Sequence, residues 1–445
     1  MPSSSPVPPP ASGWRSGATA LRHRQFRWVL LSNASFFFAM NGQFVVRSYL
    51  AFKLTDSAFA LGLVNLAVSI PMLVISPFGG VIADRVEKRR LIMAGQLALL
   101  LNELLVLTLL VTGLLAFWHL LVVAFIMGCV FPFSMPARQA AVVNIVGRHD
   151  LANAMALNMG AMNTARVVGP VTAGLVIAVV GLRWMYLVAV ILYLAALLTM
   201  SRIEKQPAAE GAGKNSVMSD LAEGFRYVRN DPPVRVLLLL SMIPILLAMP
   251  FQALLVVFAE DVWHVSGGEG LGLLQAAAGL GGICGSVIVA WKGQTRRKLR
   301  LMMASLFAFG GSLFLFALSP WFLLALPLVF VSDIFASMFN TLNNTAIQMI
   351  IPDAVRGRVA SLMMMTFGLT PLGTMPVSAF ADAYGAPAAV AGASVITVVV
   401  SLLFFVSSRA LRGIDAVSHA ALLRVDVAAP AARISAPEPS VSAAS

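Results

Sequence analysis

Four charged side chains interrupt stretches of sequence that are otherwise apolar: Arg47, Glu103, Arg166 and Asp333. At the middle of a membrane helix such a charge costs about 2.5–3.5 kcal/mol on insertion scales, so it faces a cavity or a partner. Burial and neighbouring charge shift the proton affinity of a carboxyl. A carboxyl whose affinity depends on its surroundings can therefore load a proton on one side of a membrane and release it on the other. Asp333 stands near the middle of its run, with Asn340, Asn343 and Asn344 further along as a polar stripe. Two readings of it stand together: a proton-carrying carboxyl, and a structural acid hydrogen-bonded to its neighbours. Arg166, three residues after Asn163, is the cation with which Asp333 would pair. Asn33, Asn41 and Gln43 in the first run and Gln252 in the seventh either line a cavity or join helices.

The runs that carry these residues lie near 27–50, 58–83, 91–113, 117–138, 153–180, 182–201, 234–258, 268–291, 299–318, 321–346, 357–381 and 385–408. About 20 apolar residues span the hydrocarbon core as a helix. Backbone groups there must be satisfied internally, and the absence of period-2 alternation excludes a barrel. Hydrophobic residues make up 59% of the chain and charged ones 11%, with a mean hydropathy of +0.87; soluble domains carry about a quarter charged residues. The expected class is an all-α integral membrane protein with twelve transmembrane helices in two six-helix halves.

A formal net charge of +12 would suit a nucleic-acid binder, but its distribution argues against one. Lys and Arg gather in the N-terminal arm (Arg15, Arg22, Arg24, Arg27) and in alternate loops, at Arg85–Arg90, Arg138/Arg148, Arg202–Arg235, Lys292–Arg300 and Arg356/Arg358. The intervening loops hold only Lys53 and Arg183, beside Asp56, Glu260, Asp261 and Glu269. Under the positive-inside rule both termini are cytoplasmic, in a multi-pass protein of the plasma membrane. Residues 1–26, rich in Pro and Ser, read as a disordered arm without the apolar core of a signal peptide. Residues 409–445 read as a disordered tail. All five His lie in loops or tails, no metal-ligand cluster occurs in the spans, and no Walker loop is present. The expectation is therefore no enzyme, no cofactor and no metal. Cys129 and Cys284 read as packing residues.

The chain divides as 27–201, a linker over 202–233, and 234–408. At an offset of 206 positions Phe133 meets Phe339, Ala154 meets Ala360 and Pro170 meets Pro376; at 210, Leu61-Gly62-Leu63 meets Leu271-Gly272-Leu273. The linker places Val217, Leu221, Phe225 and Val228 at helical spacing, with Asp220 early and Arg226/Arg229 late. That pattern suits an amphipathic helix on the inner leaflet.

Gly80-x-x-x-Asp84-Arg85, followed by Lys88, Arg89 and Arg90, resembles the signature loop between helices 2 and 3 of the major facilitator superfamily, with Glu87 where Gly is usual. Arg47 to Ser57 leading into Leu61-Gly62 resembles the bacterial branch of enterobactin exporters and macrolide efflux proteins. So do Pro136-Ala137-Arg138-Gln139 to Asn153-Ala154 and Asn163 to Gly169-Pro170. The resemblance implies an inner-gate latch formed by Asp84 with Arg85, Arg89 and Arg138. It implies either an outer gate where Arg47 meets Glu260 and Asp261 or an Arg47 that snorkels to the outer headgroups, and a central cavity lined by Asp333, Arg166, Asn163, Asn340, Asn41 and Gln43. Glu103 falls on a peripheral helix, where structural pairing is expected. Gly169-Pro170-x-x-Ala173-Gly174 resembles the core of the antiporter motif of helix 5, departing from it at Ala165 and Ala173. Phe36, Phe37, Phe38, Phe131, Phe133, Met40, Met135 and Met338 serve either as a greasy pocket or as ordinary packing.

The implied function is secondary active transport by alternating access: proton-coupled efflux of a lipophilic drug or siderophore-like small molecule, driven by the proton gradient. The expected partners are a small-molecule substrate and the lipid bilayer, with no nucleic acid, and the expected working form is a monomer. The alternatives are an uptake permease of the same fold and a non-transporting sensor or scaffold.

Overall fold

The computed structural model describes residues 16–205, 217–265, 268–292, 298–352, 359, 362–363, 365–366 and 368–414, without the side chains of 16–18, 77, 80, 81, 83, 84, 147–149, 152, 217–221 and 292. Among the described residues, all regular structure is helical. Among those residues, eleven helical stretches are long and apolar enough to cross a membrane. The expected span 357–381 is described only in part, and its described portion runs into a helix at Thr370–Tyr384.

After a 3-10 turn, Ser16–Arg22, come α1 (Arg24–Thr55), α2 (Ala58–Arg85), α3 (Lys88–Thr112), α4 (Phe117–Val179) and α5 (Leu182–Ser201). The sequence places the disordered arm over 1–26, but its described part, from Ser16, is helical apart from His23. Ala20 and Phe26 bury against Ile92 and Ala137, and His23 Nε2 lies 3.0 Å from Asp150 Oδ2. The arm is held because it covers apolar surface that would otherwise be bare. α1 stops at Asp56, whose φ of 50° turns the chain while its N–H bonds to the Phe52 carbonyl. α3 stops at Gly113, at φ 73°, where only glycine adopts the left-handed turn without strain.

The 63 residues of α4 would make a straight rod of about 95 Å, roughly three bilayer cores long. They do not form one. Asn33 of α1 is hydrogen-bonded to both Arg138 and Asn158, residues that a straight helix would hold about 30 Å apart. The helix therefore doubles back between them, and its arms, Phe117–Val146 and Asn153–Val179, are two spans. Ala20 N–H donates to Asn153 Oδ1 at 3.0 Å beside that reversal.

Two packing units result, Met1–Val217 with Gln252–Gly279, and Met218–Phe251 with Leu280–Ser445. In the first, α1 is central. Phe36, Phe37 and Ala39 meet Leu99 and Leu100 of α3, Ala165 of the second arm of α4, and Tyr193 and Ala196 of α5. α2 lies directly on the first arm of α4. A Cβ at Gly79 would stand 2.3 Å from the Pro132 carbonyl oxygen, and one at Gly128 would stand 2.1 Å from that of Val68. Lipid tails are as apolar as leucine, so helices in a bilayer associate through such close approach of small residues.

The second unit begins with α6 (Val217–Asn230) over the amphipathic linker segment, then α7 (Pro232–Leu247). Asp231 caps α7 by accepting from Val234 N–H at 3.1 Å, and Tyr227 Oη donates to the same carboxylate at 3.0 Å. Burial and that bond push the Tyr227 phenol up to about 12. Pro232 and Pro233 open α7 where no backbone donor is needed. The span continues as α8 (Phe251–Val257) and a π turn, Phe258–Val262, and residues 252–279 pack with the first unit. Then follow α9 (Glu269–Lys292), α10 (Lys298–Ala317), α11 (Phe322–Ile350), α12 (Thr370–Tyr384), α13 (Ala386–Ser407) and α14 (Arg409–Arg412). The tail expected to be disordered from 409 is helical over those four residues because Leu411 and Ile414 are buried. α9 meets α11 through Gly281 and Gly285, whose Cβ positions fall 2.2 Å and 2.3 Å from the carbonyl oxygens of Phe330 and Ile334. Gly79 and Gly285 stand 206 positions apart, and each presses on a helix backbone.

Replacing Gly128 by Ala drives a methyl into the α2 backbone, an overpacking of about 1–3 kcal/mol. Gly160 has open space around it, so Gly160→Ala is neutral or slightly stabilising. Thermal unfolding of detergent-purified protein should show Gly128→Ala melting several degrees below wild type and Gly160→Ala at or above it.

Candidate functional site

Arg138 is the best-connected buried charge of the first unit. It projects from the first arm of α4, directly after Pro136, and is 2% exposed. Its Nη1 donates to Asn33 Oδ1 at 2.6 Å, and the guanidinium lies 3.7 Å from the centre of the Phe36 ring. Asn33 donates in turn to Asn158 Oδ1 at 2.7 Å. The Gln96 amide is best satisfied with its oxygen 2.9 Å from both Arg138 Nη2 and Ser32 Oγ, and its nitrogen toward the Ala196 carbonyl at 3.3 Å. All these partners are neutral. They spread one cation over α1, α3, α5 and both arms of α4.

This placement changes the expected inner-gate cluster. Arg138 turns into the helical core because Asn33, Gln96 and Phe36 solvate it there. Arg89 Nη2 donates to the Ser201 carbonyl at 2.7 Å, capping the negative end of α5. Glu87 accepts from Arg90 Nε at 2.8 Å. Gly80 and Asp84 fall within α2, but the Asp84 side chain lies outside the described residues. Arg85 is exposed.

The expected meeting of Arg47 with Glu260 is also corrected. Glu260 Oε2 is paired with Lys53 Nζ at 3.2 Å, and Lys53 stands over the Tyr49 ring at 5.7 Å. α1 extends to Thr55, so Lys53, six residues beyond Arg47, is level with the π turn. Arg47 is buried and faces Glu103 electrostatically. Asp261 is exposed.

The helix-5 motif makes two close contacts. A Cβ at Gly169 would stand 3.2 Å from Phe38 O, Gly42 N and Asn41 Cβ of α1. One at Gly174 would stand 2.8 Å from Gly272 Cα, and the Pro170 carbonyl lies against Gly272 from the same side. Of the expected cavity residues on this unit, Asn163 and Arg166 are exposed and Gln43 is buried. Asn41 returns its amide to its own helix at Phe37 O, 2.8 Å away.

Asp333 belongs to the second unit, on α11. It is 3% exposed, with Cβ 3.2 Å from the position a Cβ would take on Gly281. Ser337, Asn340 and Asn344 continue its face at helical spacing. Ser337 Oγ donates to the Gly282 carbonyl at 2.7 Å, and Asn344 Nδ2 donates to Asn340 Oδ1 at 2.8 Å. Beside Asp333 on the helix, Ser332 Oγ donates to Ser312 Oγ of α10 at 2.9 Å. Arg166 and Asp333 thus lie in different packing units.

Sequence reasoning passed over Gln96, Asn158, Ser32, Lys53, Ser337 and Tyr186. For Ser337 the signal was available, since it falls on the 333–340–344 face. The others are single polar residues in separate runs, with nothing in the pattern to join them.

A family model described as Transmembrane secretion effector matches residues 15–435. The chain is 24% identical over 362 residues to the staphyloferrin A transporter of Staphylococcus aureus, covering 80% of this chain and 89% of that protein. It is 28% identical over 317 residues to the enterobactin exporter EntS of Shigella boydii, covering 69% of this chain and 73% of that protein. Among solved structures, the nucleoside transporter NupG superposes with a TM-score of 0.71 at 13% identity, over 86% of this chain and 98% of that one. A bacterial homologue of the human lysosomal transporter Spinster gives 0.63 at 15%, over 88% and 98%. At those identities the likeness establishes the fold alone.

Asn33→Ala removes a charge-assisted bond from a buried guanidinium, at a cost of about 1.5–3 kcal/mol. Asn41→Ala loses only a bond within its own helix and costs under about 1 kcal/mol. Thermal unfolding in detergent separates the two, and equal melting temperatures would remove Arg138 from its organising place.

Proposed function

Because the chain belongs to the transmembrane secretion effector family of major facilitator transporters, we propose that this membrane transporter exports a siderophore-like or lipophilic small molecule in exchange for protons, by alternating access. The observation that carries the reading is similarity over most of the chain to two proteins named for siderophore transport, one of them an exporter. The absence of a Walker loop from the sequence supports an ion gradient over ATP as the energy source.

Asp333 is the coupling carboxyl in this reading. Its burial on α11, beside Gly281 and at the head of the Ser337–Asn340–Asn344 face, supports that role. A proton held there in one state and released in the other ties substrate movement to the gradient. Lys53–Glu260 serves as a gate contact near the end of α1. The alternation of Lys and Arg among the loops supports cytoplasmic termini in the bacterial inner membrane. One subunit suffices for the cycle.

The test is flux in liposomes containing the purified protein, with an imposed pH gradient and a panel of siderophores, macrolides and lipophilic cations. Wild type should move at least one compound against its gradient. Asp333→Asn should lose gradient-driven flux by tenfold or more, a deficit of about 1.4 kcal/mol or greater, while still binding substrate. Undiminished driven flux in Asp333→Asn would falsify its coupling role, and no flux of any compound by wild type would sink the efflux reading.

A further inference from the structure

Within the first unit, about two turns beyond the Phe36–Tyr193 ring contact, α1, α3 and α5 bring together polar groups that the proposed reaction leaves unused. Gln43 and Arg47 stand one turn apart on α1, Glu103 lies on α3 and Tyr186 on α5. Their exposures are 0%, 6%, 2% and 1%. Each nevertheless keeps a buried polar atom without a hydrogen-bond partner: both ends of the Gln43 amide, Arg47 Nε, Glu103 Oε2 and the Tyr186 hydroxyl. They share one electrostatic environment. Arg47 acts on Glu103, and both act on Tyr186 and Tyr193.

Four orphaned groups in one dry layer differ from the Arg138 network, where Nε alone is left without a partner and neutral groups converge on the two Nη atoms. A buried ion pair is stable only when its geometry closes and its remaining atoms are bonded. Here Arg47 Nε and Glu103 Oε2 are unbonded, on α1 and α3, two helices that both pack against α5. A proton on Oε2 and a bond from Arg47 to Oε2 are alternative ways of satisfying the same oxygen, and they exclude one another.

We propose that Glu103 is a proton-binding site of this transporter and that Arg47 displaces the proton by closing onto Oε2. In the loaded state the carboxyl is neutral and the guanidinium stands apart. On closure the carboxylate accepts from the guanidinium, and the proton leaves for water past the Tyr186 hydroxyl and the Gln43 amide oxygen. No electron moves, and the only bond broken is the O–H of the acid. The groups facing Glu103 are Arg47 from α1 and Tyr186 and Tyr193 from α5. On the side of α4, the first arm meets α3 through the Asn102 amide on the Val123 carbonyl, at 2.9 Å, and its Arg138 acts electrostatically on Tyr193. The use of this proton in transport rests on the proton-coupled reading above; its binding does not.

The experiment is infrared difference spectroscopy of the full chain in proteoliposomes, titrated through pH, reading the carbonyl stretch of protonated carboxyls. A titrating band is expected in wild type and in Asp333→Asn, lost in Glu103→Gln and moved in frequency in Glu103→Asp. Arg47→Gln should displace the midpoint of that band by about one pH unit or more. A band unchanged in both Glu103 variants overturns the assignment, and a midpoint indifferent to Arg47→Gln overturns displacement by the guanidinium. Should wild type move no compound in liposomes while the band titrates and depends on Glu103, the efflux reading falls and the proton site stands.

Discussion

Where no water reaches, a polar group must find its partner in the protein or stay unsatisfied, and the first unit is arranged around that constraint. Apolar side chains give little reason for one helix register over another in lipid, because lipid tails and leucine are equivalent surroundings. A buried guanidinium does give a reason. Arg138 needs donors' partners at fixed positions, and it finds them on α1 and α3, with Phe36 beneath its plane. Sliding α1 by one turn would carry Asn33 and Phe36 away together. The same constraint explains why α4 reverses where it does, since Asn33 joins Arg138 on one arm to Asn158 on the other.

Close packing supplies what polar bonds alone cannot. The contacts of Gly79 and Gly128 between α2 and α4, and of Gly281 and Gly285 between α9 and α11, set backbone against backbone. Dispersion between such surfaces is weak per atom but summed over many. Gly281 has a second consequence. By admitting the α11 backbone so closely, it puts Asp333 Cβ under α9 and buries a carboxyl that α11 alone would leave at a helix face.

The spans were legible in the sequence because the bilayer imposes a length and a composition that few other environments do. So was α6, whose alternation of Phe225 and Val228 with Arg226 and Arg229 has helical period. Pairing was not legible. Arg47 and Lys53 are both cations near the end of one run, and only the extension of α1 to Thr55 puts Lys53 at Glu260. Gln96 and Asn158 carry no charge and sit in separate runs, so nothing in their spacing joins them to Arg138. Residues 16–26 read as disordered because their composition is polar; Ala20 and Phe26 order them by covering a hydrophobic surface made by residues more than sixty positions away. Periodicity reports what a helix presents, not which neighbour receives it.

The two charged layers of the first unit divide rigidity from mobility. Around Arg138 the neutral partners hold the cation in place, and no member can leave without stranding a buried charge, which costs more than a neutral bond. Around Glu103 the donor Nε and the acceptor Oε2 are both present and unjoined, so a movement that brings them together satisfies two atoms that are otherwise orphaned. A carrier needs both kinds of site. Without the first, α1 would lose its register against α3 and α5 each time a charge moved. Without the second, protonation would have nothing to act upon. That both lie along α1, at Asn33 and Arg47, means the helix that fixes the unit is also the one whose displacement a proton could control.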